Sequence, residues 1–313
     1  MMRDGNAMRD VPFVDAHVHL WQLDRLHYPW LMPPFADYGP NGSVEAIARD
    51  YGVVDYRTES AGWSVAGMVH IEAGAEPNDA LRESEWLDQI ATAEGAPDAL
   101  VAFAALDDPD IERALAAQAA HARVRGIRHI VNWHSDPRLT YTPRDVTGDV
   151  DWAHGFALLA KYGLSFDLQA YPGQFPALAT LFARHPDIAV AVNHMGMPIG
   201  REGADLWREG MAAFAALPQV SVKISGAGFI DRQWTPELIR PFVLATIDMF
   251  GADRCMFASD FPTDRLFGTF DATLGAYGGI IADFSADERR ALWGGNAGRF
   301  YRLGLHVKEK QNG

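Results

Sequence analysis

Short apolar runs alternate along the chain with longer stretches of helical period. The runs occupy residues 13–20, 65–71, 100–106, 127–131, 164–170, 188–193, 220–224 and 255–259. Each is short and apolar at nearly every position, the pattern of a strand covered on both faces. Between them, residues 111–125, 156–162, 175–184, 206–216 and 236–250 carry apolar side chains at helical spacing and predict helices. Gly163 stands where the helix ending at Tyr162 needs a C-terminal glycine, and Pro186 stops the helix before it. Eight strands alternating with helices predict a single-domain α/β fold over residues 11–305, a parallel (β/α)8 TIM barrel ringed by helices. A doubly wound open sheet is the rival. It usually has fewer strands, and no glycine-rich nucleotide fingerprint follows the first run here. Residues 21–62 break the alternation. They are rich in Pro, Tyr and Trp and predict a long loop excursion across the barrel mouth. Residues 1–10 and 306–313 are expected as tails.

Composition narrows the function class. The chain has 313 residues, 48% of them hydrophobic, enough for a large core. With 27 basic and 41 acidic residues the net charge is −14, which repels phosphate backbones and argues against nucleic acid as a partner. The single cysteine, Cys255, excludes an internal disulfide framework and every cysteine-rich metal site. The first ten residues lack the apolar core of a secretory signal, and no uncharged apolar run of about 18 residues predicts a membrane span. The expectation is a soluble, cytoplasmic protein that acts on a small molecule, without nucleic-acid or membrane partners. A homodimer is the default for such an enzyme.

Candidate chemistry gathers at the ends of the predicted strands. In the first run, alternation puts Asp15, His17 and His19 on one face. Two imidazoles at i and i+2 bind one metal ion or flank one substrate; the plain alternative is packing. They stand at the C-terminal end of the first strand, where barrel active sites form. Asp260 follows the last run at the matching position, as a catalytic carboxylate or as the cap of the next helix. His194 follows the sixth run, placed as a general base or as a donor to a carbonyl. Lys223 is a charge within the seventh strand: inward it stabilises an oxyanion, outward it is a solvated amine. Glu72 ends the second run as a metal ligand, as the orienter of one, or in a loop ion pair. Arg128 and His129 lie on opposite faces, so at most one reaches the lumen; Asp167 and Gln169 share a face. The aromatics Trp21, Tyr28 and Trp30 either cover an organic ring or pack the loop down. No GxSxG elbow, phosphate loop or HExxH motif is present, and Cys255 inside a core strand is no nucleophile.

With these residues in place, the sequence resembles the amidohydrolase superfamily, in its amidohydrolase 2 branch. That branch contains sugar-lactone hydrolases, 2-pyrone-4,6-dicarboxylate lactonase and metal-dependent decarboxylases. The matching pieces are Asp15-Ala16-His17-Val18-His19, Arg125-Gly126-Ile127-Arg128, Asn193-His194-Met195-Gly196, Val222-Lys223-Ile224-Ser225-Gly226, Phe257-Ala258-Ser259-Asp260-Phe261-Pro262 and Gly295-Asn296-Ala297. The resemblance implies a metal pair at His17 and His19, joined by Asp260, with His194 against the substrate carbonyl. It implies that Asp260 handles the proton of water and that Arg128 meets the substrate. Glu72, Gln169 and Trp21 are expected beside Arg128 as substrate-binding residues. Two departures stand out. Strand five reads Phe166-Asp167-Leu168-Gln169, without the histidine ligand of the decarboxylases, and strand four lacks the lysine of binuclear relatives. The implied cofactor is therefore one divalent ion, zinc or manganese, or none. The leading expectation is hydrolysis of a sugar-derived or aromatic-catabolic lactone, with His194, Lys223 or the metal polarising the carbonyl. The alternatives are a non-oxidative decarboxylase of an aromatic or unsaturated acid and a non-catalytic metabolite-binding barrel.

Overall fold

The runs form strands β1 (Phe13–Val18), β2 (Val65–Ile71), β3 (Ala99–Phe103), β4 (Val124–Arg128), β5 (Ser165–Leu168), β6 (Val190–Val192), β7 (Val220–Ile224) and β8 (Cys255–Phe257). The structure is a computed structural model that describes residues 5–198 and 203–304. All neighbours pair in parallel, in the order β1 to β8. The ring closes where Asp260 N–H donates to the His17 carbonyl at 2.9 Å and His19 N–H to the Phe261 carbonyl at 2.8 Å. This is the (β/α)8 barrel that the alternation predicts, and its closing bonds are made by the residues singled out for chemistry.

Two apolar layers result. Val14, Ala16, Val69, Val101, Ala191 and Met256 fill the barrel interior, over a floor made by Tyr301 and Ala297 near the C-terminus. Phe13, Val18, Ile127, Phe166, Val190, Val222 and Phe257 face the helices. Asp15 corrects the expectation of simple alternation. The β1–β2 register slips between Asp15 and Val18, so Asp15 no longer shares a face with His17 and His19. It turns instead to the Tyr56 hydroxyl, 2.9 Å away, and to the Ser259 N–H at 2.9 Å. A slip of this kind resets the two-residue period that the sequence argument assumes.

The predicted helix 111–125 is two elements. Helix Ile111–Ala119 ends early and β4 begins at Val124. Val124 has helical spacing, but its apolar side chain fits a strand equally well, so periodicity could not separate them. Helix Val150–Tyr162 ends as expected: Gly163 takes φ 62° and its N–H donates to the carbonyls of Leu159 and Ala160. Helix Ala80–Glu94, between β2 and β3, is not legible as an apolar stripe because charged residues crowd it. Among the described residues no helix is long and apolar enough to cross a membrane. The expected tail 1–10 is docked from residue 5: Gly5–Met8 is a 3-10 turn, Met8 is buried, and Arg9 pairs with Asp271. Residues 306–313 lie outside the described residues.

The excursion 21–62 does cross the mouth. Trp21, Tyr28 and the half-buried Trp30 each find a polar partner. Trp21 donates to the Arg49 carbonyl at 2.6 Å, Trp30 to the Ala73 carbonyl at 2.8 Å, and Tyr28 to Glu83 at 3.1 Å. Glu83 also accepts from Ala73 N–H and is buried. Burial, and then the charge of Glu72, raise its carboxyl from 4.5 to about 8. The folded chain thus binds one proton more than the unfolded chain between those values. That contribution to stability is complete below the unfolded value and is lost as pH rises through the folded one. Glu83→Gln keeps the acceptor and removes the titration. We expect it to raise Tm relative to the parent at pH 9 and to change it little at pH 5; equal shifts at both would remove this role.

Candidate active site

At the C-terminal mouth three acceptor atoms converge. His17 Nε2 and His19 Nε2 are 3.2 Å apart. Asp260 Oδ1 lies 3.4 Å from the first and 3.3 Å from the second. The Ile71 carbonyl, 2.8 Å from His19 Nδ1, takes a hydrogen bond from that nitrogen, which turns Nε2 to the cluster. Burial, and then the Lys223 charge, hold His17 well below the ordinary imidazole range, so its ring is neutral near pH 7. One donor reaches in, Arg128 NH1 at 3.4 Å from His17 Nε2. With the His17 proton on Nδ1, which is buried without a partner, three acceptors face one another and a cation between them relieves their repulsion. A tetrahedral ion at about 2.0–2.1 Å from its ligands spaces them about 3.3–3.4 Å apart, which the triangle matches. The residues present therefore fit one divalent ion.

His194 faces the same carboxylate from the other side. Its Nδ1 is 3.9 Å from Asp260 Oδ2 and 3.0 Å from the Ser225 hydroxyl. Ligating atoms of His17, His194 and Asp260 all lie within 4.8 Å of one another. Burial pulls the His194 pKa down to about 4, so the imidazole is neutral near pH 7. His194 and Asp260 both adopt left-handed backbone, at φ 52° and φ 58°. Non-glycine residues rarely do so, and such strain gathers at functional sites. Here it turns both side chains off the strand ends and over the lumen.

Below this layer the lumen holds a second one. Arg128 is buried and fully engaged: Nε donates to Glu72 at 2.6 Å, NH2 to the Glu72 carbonyl at 2.6 Å, and NH1 to Gln169 at 3.1 Å. Lys223 points inward and pairs with Asp167, which also accepts from the Tyr301 hydroxyl at 3.0 Å. Burial lowers the Lys223 pKa to about 8 in spite of that partner. Above both layers a cavity of about 480 Å³ runs from His19, His194 and Asp260 to the solvent, walled by residues 29–44 of the excursion.

The sequence matches the family model described as Amidohydrolase over residues 14–303. The chain belongs to the amidohydrolase family. This amidohydrolase is 37% identical to an uncharacterized protein of Sinorhizobium fredii, over 95% of this chain and 100% of that protein. It is 30% identical to the L-fucono-1,5-lactonase of Burkholderia ambifaria, over 93% and 95% of the two chains. A solved Burkholderia multivorans amidohydrolase with bound zinc superposes with a TM-score of 0.77 at 26% identity. The match covers 93% of this chain and 99% of that one.

Within this amidohydrolase the candidates fall into two groups. His19, Arg128, Gln169, His194 and Asp260 line the cavity, and His17 completes the acceptor triangle beneath it. Trp21, Glu72 and Lys223, expected beside the substrate, do not line it. Trp21 is buried and its ring abuts Trp30, which does line the cavity. Glu72 neutralises Arg128, and Lys223 is spent on Asp167. His129 points away from the lumen, accepting from Leu106 N–H at 3.1 Å. Asp264 went unnoticed in the sequence. It is buried one turn after Asp260; burial and the Asp260 charge push its carboxyl well above the usual range. The shift disfavours a second negative charge beside Asp260. The only trace of it in the sequence is its spacing of four from Asp260.

Gly226 sets the position of His194. It has φ 67°, and a Cβ there would stand 2.7 Å from His194 Nδ1 and 2.6 Å from the Phe229 ring. Gly226→Ala must push the imidazole aside. We expect turnover to fall about 100-fold, since a shift near 1 Å in a catalytic group costs that much. Circular dichroism should report an intact barrel; turnover within threefold of the parent would show that His194 has slack.

Proposed function

We propose that this chain is a hydrolase that opens the ring of a lactone, a cyclic ester. The observation that carries the reading is the Asp260 carboxylate set among three imidazoles at the foot of the cavity. The lactonase names of its relatives support the ester class. The two carboxylate oxygens divide the work. Oδ1 faces the His17–His19 pair, and Oδ2 has no hydrogen-bond partner and is free to take a proton. The lactone carbonyl rests against neutral His194, which donates a hydrogen bond to it. Asp260 Oδ2 removes a proton from water as the water oxygen bonds to the carbonyl carbon. The carbonyl electron pair moves onto its oxygen. As that pair returns, the ring C–O bond breaks, and Asp260 passes its proton to the departing ring oxygen. The product is an open hydroxy acid. Lys223 contributes its field from below, without touching the substrate.

His17, His19 and Asp260 Oδ1 would hold the divalent ion, zinc or manganese, which supplies Lewis acidity beside the carbonyl. His19→Ala should lower zinc bound per chain, measured by elemental analysis, and abolish the rise in Tm on adding zinc. Full zinc retention would remove His19 from the ligand set. The reaction itself is tested by proton release from uncharged γ- and δ-lactones, using pH indicator and zinc- or manganese-loaded protein. Ring opening that Asp260→Asn abolishes is the expected result. Silence from folded, loaded protein across the lactones would sink the reading.

A further inference from the structure

We infer that the lactone is uncharged and carries an apolar substituent of about the size of a ring or a short alkyl chain, an inference that rests on the lactonase reading above. The cavity, about 480 Å³, is far larger than a lactone ring. The space beyond the catalytic layer is walled by Trp30, Met32, Phe35, Val44, Ile130 and Phe229. The Trp30 indole N–H is already spent on the Ala73 carbonyl, so the ring offers the cavity no donor. Phe229 lies with its ring centre 4.9 Å from that of His194, so this apolar wall begins at the reacting carbonyl.

Part of the polar wall is already engaged, and Tyr38, Asn41, Gln169 and Thr263 are its other polar side chains. The Tyr141 hydroxyl donates to Asn41 at 3.2 Å, and the Thr142 hydroxyl donates to backbone carbonyls. Arg128 is the only lysine or arginine among the described lining residues, and Glu72 neutralises it. At the rim, Arg232 is turned to the carbonyls of Gly39 and Pro40. Among the described lining residues, a substrate carboxylate beyond the catalytic layer would find only Arg128, already paired with Glu72, and would be desolvated against it. A sugar lactone would bring several hydroxyls against carbon, each unpaired one costing roughly tenfold or more in affinity. An apolar substituent gains instead, by roughly fourfold for each methylene taken out of water.

The test is kcat/KM on the metal-loaded full chain for five lactones. These are δ-valerolactone, its 6-hexyl and 6-phenyl derivatives, a polyhydroxylated sugar 1,5-lactone and a carboxylated pyrone lactone. The hexyl and phenyl compounds should exceed δ-valerolactone by about 100-fold, and the sugar and carboxylated lactones by at least as much. Phe35→Arg should narrow the phenyl-to-valerolactone ratio by about tenfold. A preference for the sugar or carboxylated lactone overturns the inference while leaving lactone hydrolysis intact. Turnover of none of them overturns the hydrolysis reading instead. Calorimetric binding of the same compounds then decides the pocket: tenfold tighter binding of the phenyl lactone supports an apolar site, and equal or reversed order overturns it.

Discussion

Asp260→Asn should lower kcat by about 10³-fold or more, the loss expected when a general base that also returns the proton is removed. The substitution isolates the proton. Asparagine has nearly the same shape and is among the residues that best tolerate left-handed backbone, which position 260 requires at φ 58°. The closing bond from Asp260 N–H to the His17 carbonyl is made by backbone and survives. The amide also offers an N–H to a triangle that consists of acceptors, so Tm should change little. A variant within tenfold of the parent in kcat, with the barrel intact, would take the proton transfer away from Asp260. The same measurement separates catalysis from mere binding, because a metabolite-binding barrel has no turnover to lose.

The largest effect on stability is expected at Asp167. Its carboxylate and the Lys223 ammonium are both fully buried. Asp167→Ala leaves the lysine charge uncompensated and strips the Tyr301 hydroxyl of its acceptor. The expected cost is about 3–5 kcal/mol. At this chain length that lowers Tm by roughly 5–8 °C. Lys223 already has its pKa depressed from 10.5 to about 8, so the folded chain binds fewer protons than the unfolded chain across that window. Stability from this group therefore rises as pH climbs through the window. Removing Asp167 lowers the Lys223 pKa further, so the penalty in Asp167→Ala should shrink as pH climbs toward about 8 from below. The double variant Asp167→Leu with Lys223→Met should recover most of the loss at pH 7. A loss below 1 kcal/mol in Asp167→Ala would mean that water or a rotamer change relieves the charge.

Both predictions use residues visible in the sequence, but to different degrees. Asp260, His17, His19 and His194 stand at strand ends, so the barrel rule alone assigns them to one mouth. Lys223 and Arg128 show only as charges inside strands. Whether each faced a substrate or a partner depended on Asp167 and Glu72, which come from other strands and 56 residues away in each case. Trp21 and Trp30 look equivalent in the loop. Only the folded chain puts one against solvent-filled space and the other behind it. Asp15 looked like a third member of the His17–His19 face until the register slip turned it to Tyr56.

Sequence alone settled the strand count, their parallel order and the end of the barrel at which His17, His19, His194 and Asp260 meet. Those follow from local periods and from a chain rule, that a strand followed by a helix returns in parallel beside it. Tertiary structure decided which charges are neutralised, which imidazole nitrogens meet the Asp260 oxygens, and that the wall above them is carbon. Those depend on distances of about 3 Å between residues far apart in the chain, and on burial, which lowers the pKa of His17, His194 and Lys223. Periodicity assigns a side chain to a face; only packing decides what it meets there.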